Sequence, residues 1–261
     1  MDFHLNALLP IGLILAVAAW EYAAPCRPTQ QSRLYRWSNM IAIRVVGKLF
    51  FRFVMPIAGV GLALWCQQKN IGLFNNVTIP SWLLFAFSIL LLDFSAYCVH
   101  VAAHQVPLLW RLHRTHHLDT EYDITTALRS HPLDDLQNSL AEFAFIVTFG
   151  LTPEAVVAYA VLSGIIVKFS HANAQLPDKL DRALRWILVT PDMHRIHHSA
   201  ERVENDSNYS THFAFWDRIF RTYRAYPATP HKDMVIGLHQ FRDASQIRVD
   251  KLLLRPFTDK E

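Results

Sequence analysis

Two phrases carry the first chemical signal in this chain: His113-Arg-Thr-His116-His117 and His194-Arg-Ile-His197-His198. His100 and His104 form a third cluster ahead of them. A helix turns once in about 3.6 residues, so positions i, i+3 and i+4 fall within an arc of about 100°. Each phrase therefore offers three imidazoles to one side of a helix, and the HxxxH pair offers two. Neutral imidazole is the commonest biological metal ligand, and iron and zinc both accept it. Eight ligands exceed what one ion holds in ordinary coordination and suit two ions sharing a site. The competing reading is a basic, anion-binding patch. Eight imidazoles packed without a metal would leave buried ring nitrogens unsatisfied, which is costly.

The elements that must hold these rings are apolar. Of 261 residues, 52% are hydrophobic and only 18% charged, with 17 Phe and 7 Trp, a composition that points to a membrane. The net charge of +3 is too small for a nucleic-acid binder. Cys26, Cys66 and Cys98 show no CxxC spacing and read as buried or lipid-facing thiols. His4, His231 and His239 read as ordinary surface residues. Spans are expected at 5–22, 53–67 and 79–99, since crossing a bilayer takes about 20 residues. No basic segment precedes the first, so it reads as a retained helix. A fourth apolar region, 140–169, is broken by Gly150 and Pro153.

Charge sets the orientation. Arg27, Arg33, Arg36, Arg44, Lys48 and Arg52 lie between the first two spans, whereas only Lys69 is charged between the second and third. The positive-inside rule puts the first loop in the cytoplasm. Arg44, Lys48 and Arg52, four residues apart, read as a basic stripe at the membrane surface. The third span then delivers 100–138 to the cytoplasmic side. The second histidine phrase must reach the same compartment, so 140–169 is expected to be a re-entrant hairpin. The expectation is one all-α membrane domain over 1–261, a multi-pass helical bundle. A cytoplasmic helical cap, 100–138 and 170–261, would carry a dimetal site. Asp93, Tyr97, His100 and His104 share one helical stripe, and Asp93 is expected to accept an N–H from a ligating histidine and fix its tautomer.

The set "DFSAYCVHVAAH", "WRLHRTHH", "RSHPLD", "FSHANAQLP", "TPDMHRIHHS" and "NYSTHFAFWDRIFRTY" resembles the fatty acid hydroxylase/sterol desaturase superfamily, membrane eight-histidine non-haem di-iron oxygenases. The likeness covers roughly 85–226. It implies that His100, His104, His113, His116, His117, His194, His197 and His198 ligate two iron ions, with zinc an alternative in purified protein. His171 and His131 match further histidines near the site in relatives. Asn208, Trp216 and Asp217 match the last motif and would tie the cap down. Relatives have Gly where Ser210 and Arg221 stand, which bears on the local turns. His212 falls where relatives vary and is not among the expected site residues.

The resemblance further implies reduction of O₂ with two external electrons and removal of hydrogen from an unactivated C–H bond, giving an alcohol or an alkene. The substrate would be a lipid within the bilayer. The electrons would come from a separate ferredoxin or cytochrome with its reductase. The Arg27–Arg52 region would anchor to anionic lipid or dock an acidic partner. Two other classes compete. A membrane zinc hydrolase acting on lipid esters needs a Glu base, and without an HExxH motif only Glu121 and Glu142 are near. A non-catalytic metal-binding or transport protein would favour polar residues within the spans, and there are few.

Overall fold

The computed structural model describes the backbone of residues 3–55 and 58–258, with side chains from residue 10 onward. Among these there are helices and no strand, only two isolated bridges. The long helices are α1 (Phe3–Ala23), α2 (Arg33–Val54), α3 (Gly59–Gln68), α4 (Ser81–Gln105), α5 (Pro107–His117), α6 (Pro132–Phe149) and α7 (Pro153–Ser170). Shorter ones follow: α8 (Asp178–Leu184), α9 (Pro191–His197), α10 (Arg202–Asn205), α11 (Phe215–Ile219) and α12 (Val249–Thr258). The expected span at 53–67 straddles the end of α2 and all but the last residue of α3, and 56–57 between them lie outside the described residues. Three segments are long and apolar enough to cross a membrane: Arg33–Asn76, which takes in α2 and α3, Ser81–Gln105 and Pro153–Ser170; Pro10–Ala23 is a shorter apolar helix.

The helix starts are written in the chain. α5, α6, α7 and α9 each open on a proline, where the missing N–H costs nothing. Thr152 and Thr190 cap α7 and α9 by accepting the N–H of Ala155 and Met193. Gly150 ends α6 in the left-handed region, φ 68°.

α4 is the central helix and packs against α5, α6 and α7. Its first half joins α3, α6 and α7 in a core of Ala63, Cys66, Leu92, Ile146, Leu151 and Val156. Its last turns carry His100 and His104 out of that core. Outward faces are apolar too, with Phe53, Trp82, Leu140 and Val157 exposed. The arginines after α1 do not all lie at a surface. Arg36 is fully buried against Asp119 and Asp123, and Arg44 pairs with Asp135 of α6 at 2.8 Å. The Arg27 guanidinium donates to the carbonyls of His231 and Met234. All three cysteines are free.

Candidate metal centre

α4, α5, the end of α7 and α9 bring nine histidines together. Their ligand nitrogens form two groups, His100, His104, His113, His117 and His197 in one, and His116, His171, His194 and His198 in the other. Within each group these nitrogens lie within 4.8 Å of one another. Each HxxHH phrase is divided between the groups. His113 and His117 stay together while His116 turns to the other group; His194 and His198 stay together while His197 crosses back. The i, i+4 pair keeps one direction and the i+3 ring takes another, so the two phrases interlock.

In four of the rings a backbone carbonyl holds the outer nitrogen and so fixes the inner one. Nδ1–H of His100 donates to the Tyr209 carbonyl at 2.6 Å, that of His116 to Arg129 at 2.9 Å, that of His171 to Val167 at 2.7 Å and that of His197 to Ser207 at 2.8 Å. A neutral ring whose Nδ1 carries the proton has its Nε2 lone pair free. These lone pairs face one another. Nε2 of His171 lies 3.1 Å from Nε2 of both His116 and His194, and His194 Nε2 is 3.3 Å from that of His198. Nε2 of His100 and of His197 is buried without a hydrogen-bond partner. Two nitrogens each about 2.1 Å from one ion stand about 3.0–3.4 Å apart as neighbours. The residues therefore fit a pair of bound cations. The pKa directions agree. Burial first, and neighbouring imidazoles second, hold His116, His117, His194 and His198 well below the ordinary imidazole value, and burial does the same for His197.

Other expected residues land elsewhere. His131 joins neither group: it caps α6, its Nδ1 accepting the Leu133 N–H and its Nε2 donating to the Leu253 carbonyl at 3.2 Å. With both nitrogens engaged by backbone, that ring has none for a metal. In the same "RSHPLD" segment the residue that touches the cluster is Asp134, 3.3 Å from His113 Nδ1. Burial raises its pKa, but His113, His116 and the Ser130 hydroxyl together hold the carboxyl below its usual range. Asp93 takes the N–H of His212 at 2.6 Å, not that of a clustered histidine, and also accepts from Trp216 Nε1 and the Phe213 N–H. Tyr97 bonds Thr222 and stacks on Phe220, away from the rings.

Asn208, in the left-handed region, ties α9 to the C-terminal segment through the Met193 and Arg224 carbonyls, and Asp217 collects the N–H groups of Tyr209 and Ser210. Arg221 has φ 63°, a conformation glycine adopts freely; Ser210 does not. Asn205, missed in sequence, lies 3.0 Å from His117 Nδ1. Nothing in its spacing flags it. Of the candidate hydrolase bases, Glu121 accepts the N–H groups of Gln30 and Gln31. His231 is largely covered rather than at the surface, and burial pushes its pKa to about 4, while His239 is exposed beside Glu201. The His4 side chain lies outside the described residues.

Two cavities flank the rings. One of about 560 Å³ opens on the side of His104 and is lined by Trp110, Asn205 and Asp206 among others. The other, about 270 Å³, lies between α4, α6 and α7 and reaches histidines of both groups, His100 and His113 as well as His116, His171 and His194. Its remaining wall includes Leu92, Val99, Val167 and Glu142. It has room for part of a lipid, not a whole one.

Residues 85–222 match the fatty acid hydroxylase family. The chain is 34% identical over 173 residues to alkylglycerol monooxygenase of Xenopus tropicalis, covering 66% of this chain and 36% of that protein. It is 31% identical over 202 residues to the Homo sapiens enzyme of that name, covering 77% and 42%. Ornithine lipid hydroxylase OlsE of Rhizobium tropici is 24% identical over 249 residues, 90% of this chain and 72% of the relative. The chain thus spans less than half the length of these two alkylglycerol monooxygenases. No solved structure gives a significant match.

Proposed function

The chain belongs to the fatty acid hydroxylase family, and from that premise we propose that it is an O₂-dependent membrane oxidoreductase. It hydroxylates or desaturates a lipid C–H bond at two iron ions held by the nine clustered histidines. The names of its relatives support a lipid substrate and hydroxylation as the outcome. The observation that carries the reading is the pair of histidine groups, with ligand nitrogens within 4.8 Å of one another in each.

When bound, iron supplies the reductive activation of O₂ and the capacity to remove hydrogen from an unactivated C–H bond. The chain does the rest. The carbonyls of Tyr209, Arg129, Val167 and Ser207 hold four rings in one tautomer, and Asp134 orients His113. The cavity between α4, α6 and α7 presents a lipid carbon to both groups. Electrons arrive from a separate donor protein, a ferredoxin or cytochrome with its reductase. The chain crosses the membrane several times, and the histidine cap faces the cytoplasm.

The test compares whole-cell lipids by mass spectrometry with and without the gene, beside metal analysis of the purified protein. A product heavier by one oxygen is expected; one lighter by two hydrogens marks desaturation. An unchanged lipid profile, with metal content unaltered in His113→Ala and His194→Ala, would sink the reading.

A further inference from the structure

The cavity of about 270 Å³ carries one imidazole that the histidine groups do not use. His212 lines it, is 2% exposed and belongs to neither group. Its Nδ1 lies 2.6 Å from Asp93 Oδ1. The other oxygen of Asp93 already accepts from Trp216 Nε1 at 2.8 Å and the Phe213 N–H at 3.2 Å. A carboxylate has no hydrogen to give, so Nδ1 is the donor to Asp93, and the tautomer with its single proton there leaves Nε2 as an acceptor. That Nε2 is buried and has no hydrogen-bond partner. Tyr159, 3.0 Å from Nδ1, braces the ring from α7.

The wall around it is not that of a slot for bare hydrocarbon. Asn138, Glu142, Ser163 and Thr211 line the same space as Leu92 and Val99. An alkyl chain alone would leave buried polar groups unmatched, and sites built to hydrogen-bond a substrate hydroxyl reject analogues lacking it. We propose that His212 is a specificity residue whose Nε2 accepts a hydrogen bond from a hydroxyl of the lipid. The substrate is then a hydroxyl-bearing lipid oxidised near its polar end, not at a remote chain methylene. This rests on reading the cavity as the lipid site of an oxygenase.

The experiment measures binding without turnover. The full chain in detergent, with its metal content measured and with oxygen and reductant excluded, is titrated with 1-O-hexadecylglycerol and with its di-O-methyl ether, which keeps every oxygen but has no donor. Wild type is expected to prefer the diol by about tenfold or more. His212→Phe keeps the ring's bulk without the acceptor and is expected to bring the ratio close to one at unchanged metal content. His212→Gln restores a carbonyl acceptor and part of the preference. Equal affinities in wild type, or a preference unmoved in His212→Phe, overturn the proposal. So does failure of both variants to fold, since the ring would then serve the fold. Oxygen incorporation is scored separately. A preference lost in His212→Phe, in an enzyme that oxidises no lipid, leaves hydroxyl recognition standing and removes the oxygenase reading. Lipid oxidation with an unmoved preference does the reverse.

Discussion

As a metal ligand, an imidazole depends on the group that holds its other nitrogen. Asp134 behind His113 is the clearest case, a buried carboxylate 3.3 Å from Nδ1. Asp134→Asn should weaken metal retention by about 10–100-fold while leaving the ligands in place, as read by chelator competition. His131→Ala should leave metal content unchanged and cost about 1 kcal/mol of stability through the lost α6 cap, a pairing of outcomes that separates the two residues of one motif. Acid should act through the neutral rings. The folded-state pKa values of His116, His117, His194, His197 and His198 lie below the ordinary 6.5, so below that pH the unfolded chain binds more protons. Metal-free protein should hold its Tm above pH 6.5 and lose it progressively as the pH falls; a Tm flat to about pH 5 would count against neutral rings in the fold. The spacing of the histidines made their helical faces legible. It could not reveal that each HxxHH splits between two groups, because a 100° arc is wide enough to serve two centres. His212 was illegible for a different reason: its role comes from Asp93, 119 positions away.

At the scale of elements, the site is held by joints that sequence reasoning sees unevenly. Pro153 reads as the break within 140–169, and in the structure it opens α7, as Pro107, Pro132 and Pro191 open α5, α6 and α9. The role of α2 was not legible, because charge counting assigns arginine to a surface. Arg36 reaches inward to Asp119 and Asp123, Arg129 meets the same Asp119, and the Arg129 carbonyl receives His116. Burial raises the pKa of Asp119, but Arg129 and Arg36 bring it down to about 2, so the carboxylate stays charged and needs both. Arg36→Met should therefore cost about 3–5 kcal/mol by leaving buried charge unpaired, measured by unfolding in a fixed detergent. The turn between α6 and α7 is equally exacting. A Cβ on Gly150 would stand 2.6 Å from Asn75 Nδ2 and 2.9 Å from the Ile71 carbonyl, at φ 68°. Gly150→Ala should destabilise by at least about 1 kcal/mol, whereas Arg221→Gly, which relieves a positive φ on an exposed residue, should be neutral or stabilising.

For the whole molecule, the question is which side of a membrane the histidines occupy, and the fold constrains the answer. α6 leaves from Asp134 beside His113, and α7 returns to His171 within the second group, so both arms of the pair end at the site. Their shared turn lies at the opposite end, against Ile71 and Asn75 in the segment after α3. The 18 residues of α6 rise about 27 Å, but α6, unlike α7, is not among the helices long and apolar enough to cross a membrane, which keeps a re-entrant hairpin as the proposed arrangement. Return to the starting side follows either way, which is what the second histidine phrase requires. The arginine-rich stretch before α3, set against the lone Lys69 after it, is the charge asymmetry on which the proposed cytoplasmic site rests. Single cysteines test this in a background with Cys26, Cys66 and Cys98 replaced. Lys69→Cys should react with a membrane-impermeant maleimide in intact cells, and Lys232→Cys, exposed on the cap, only after permeabilisation. Labelling of position 232 in intact cells would put the histidine cap outside. The separate electron donor proposed above would then be sought on that face.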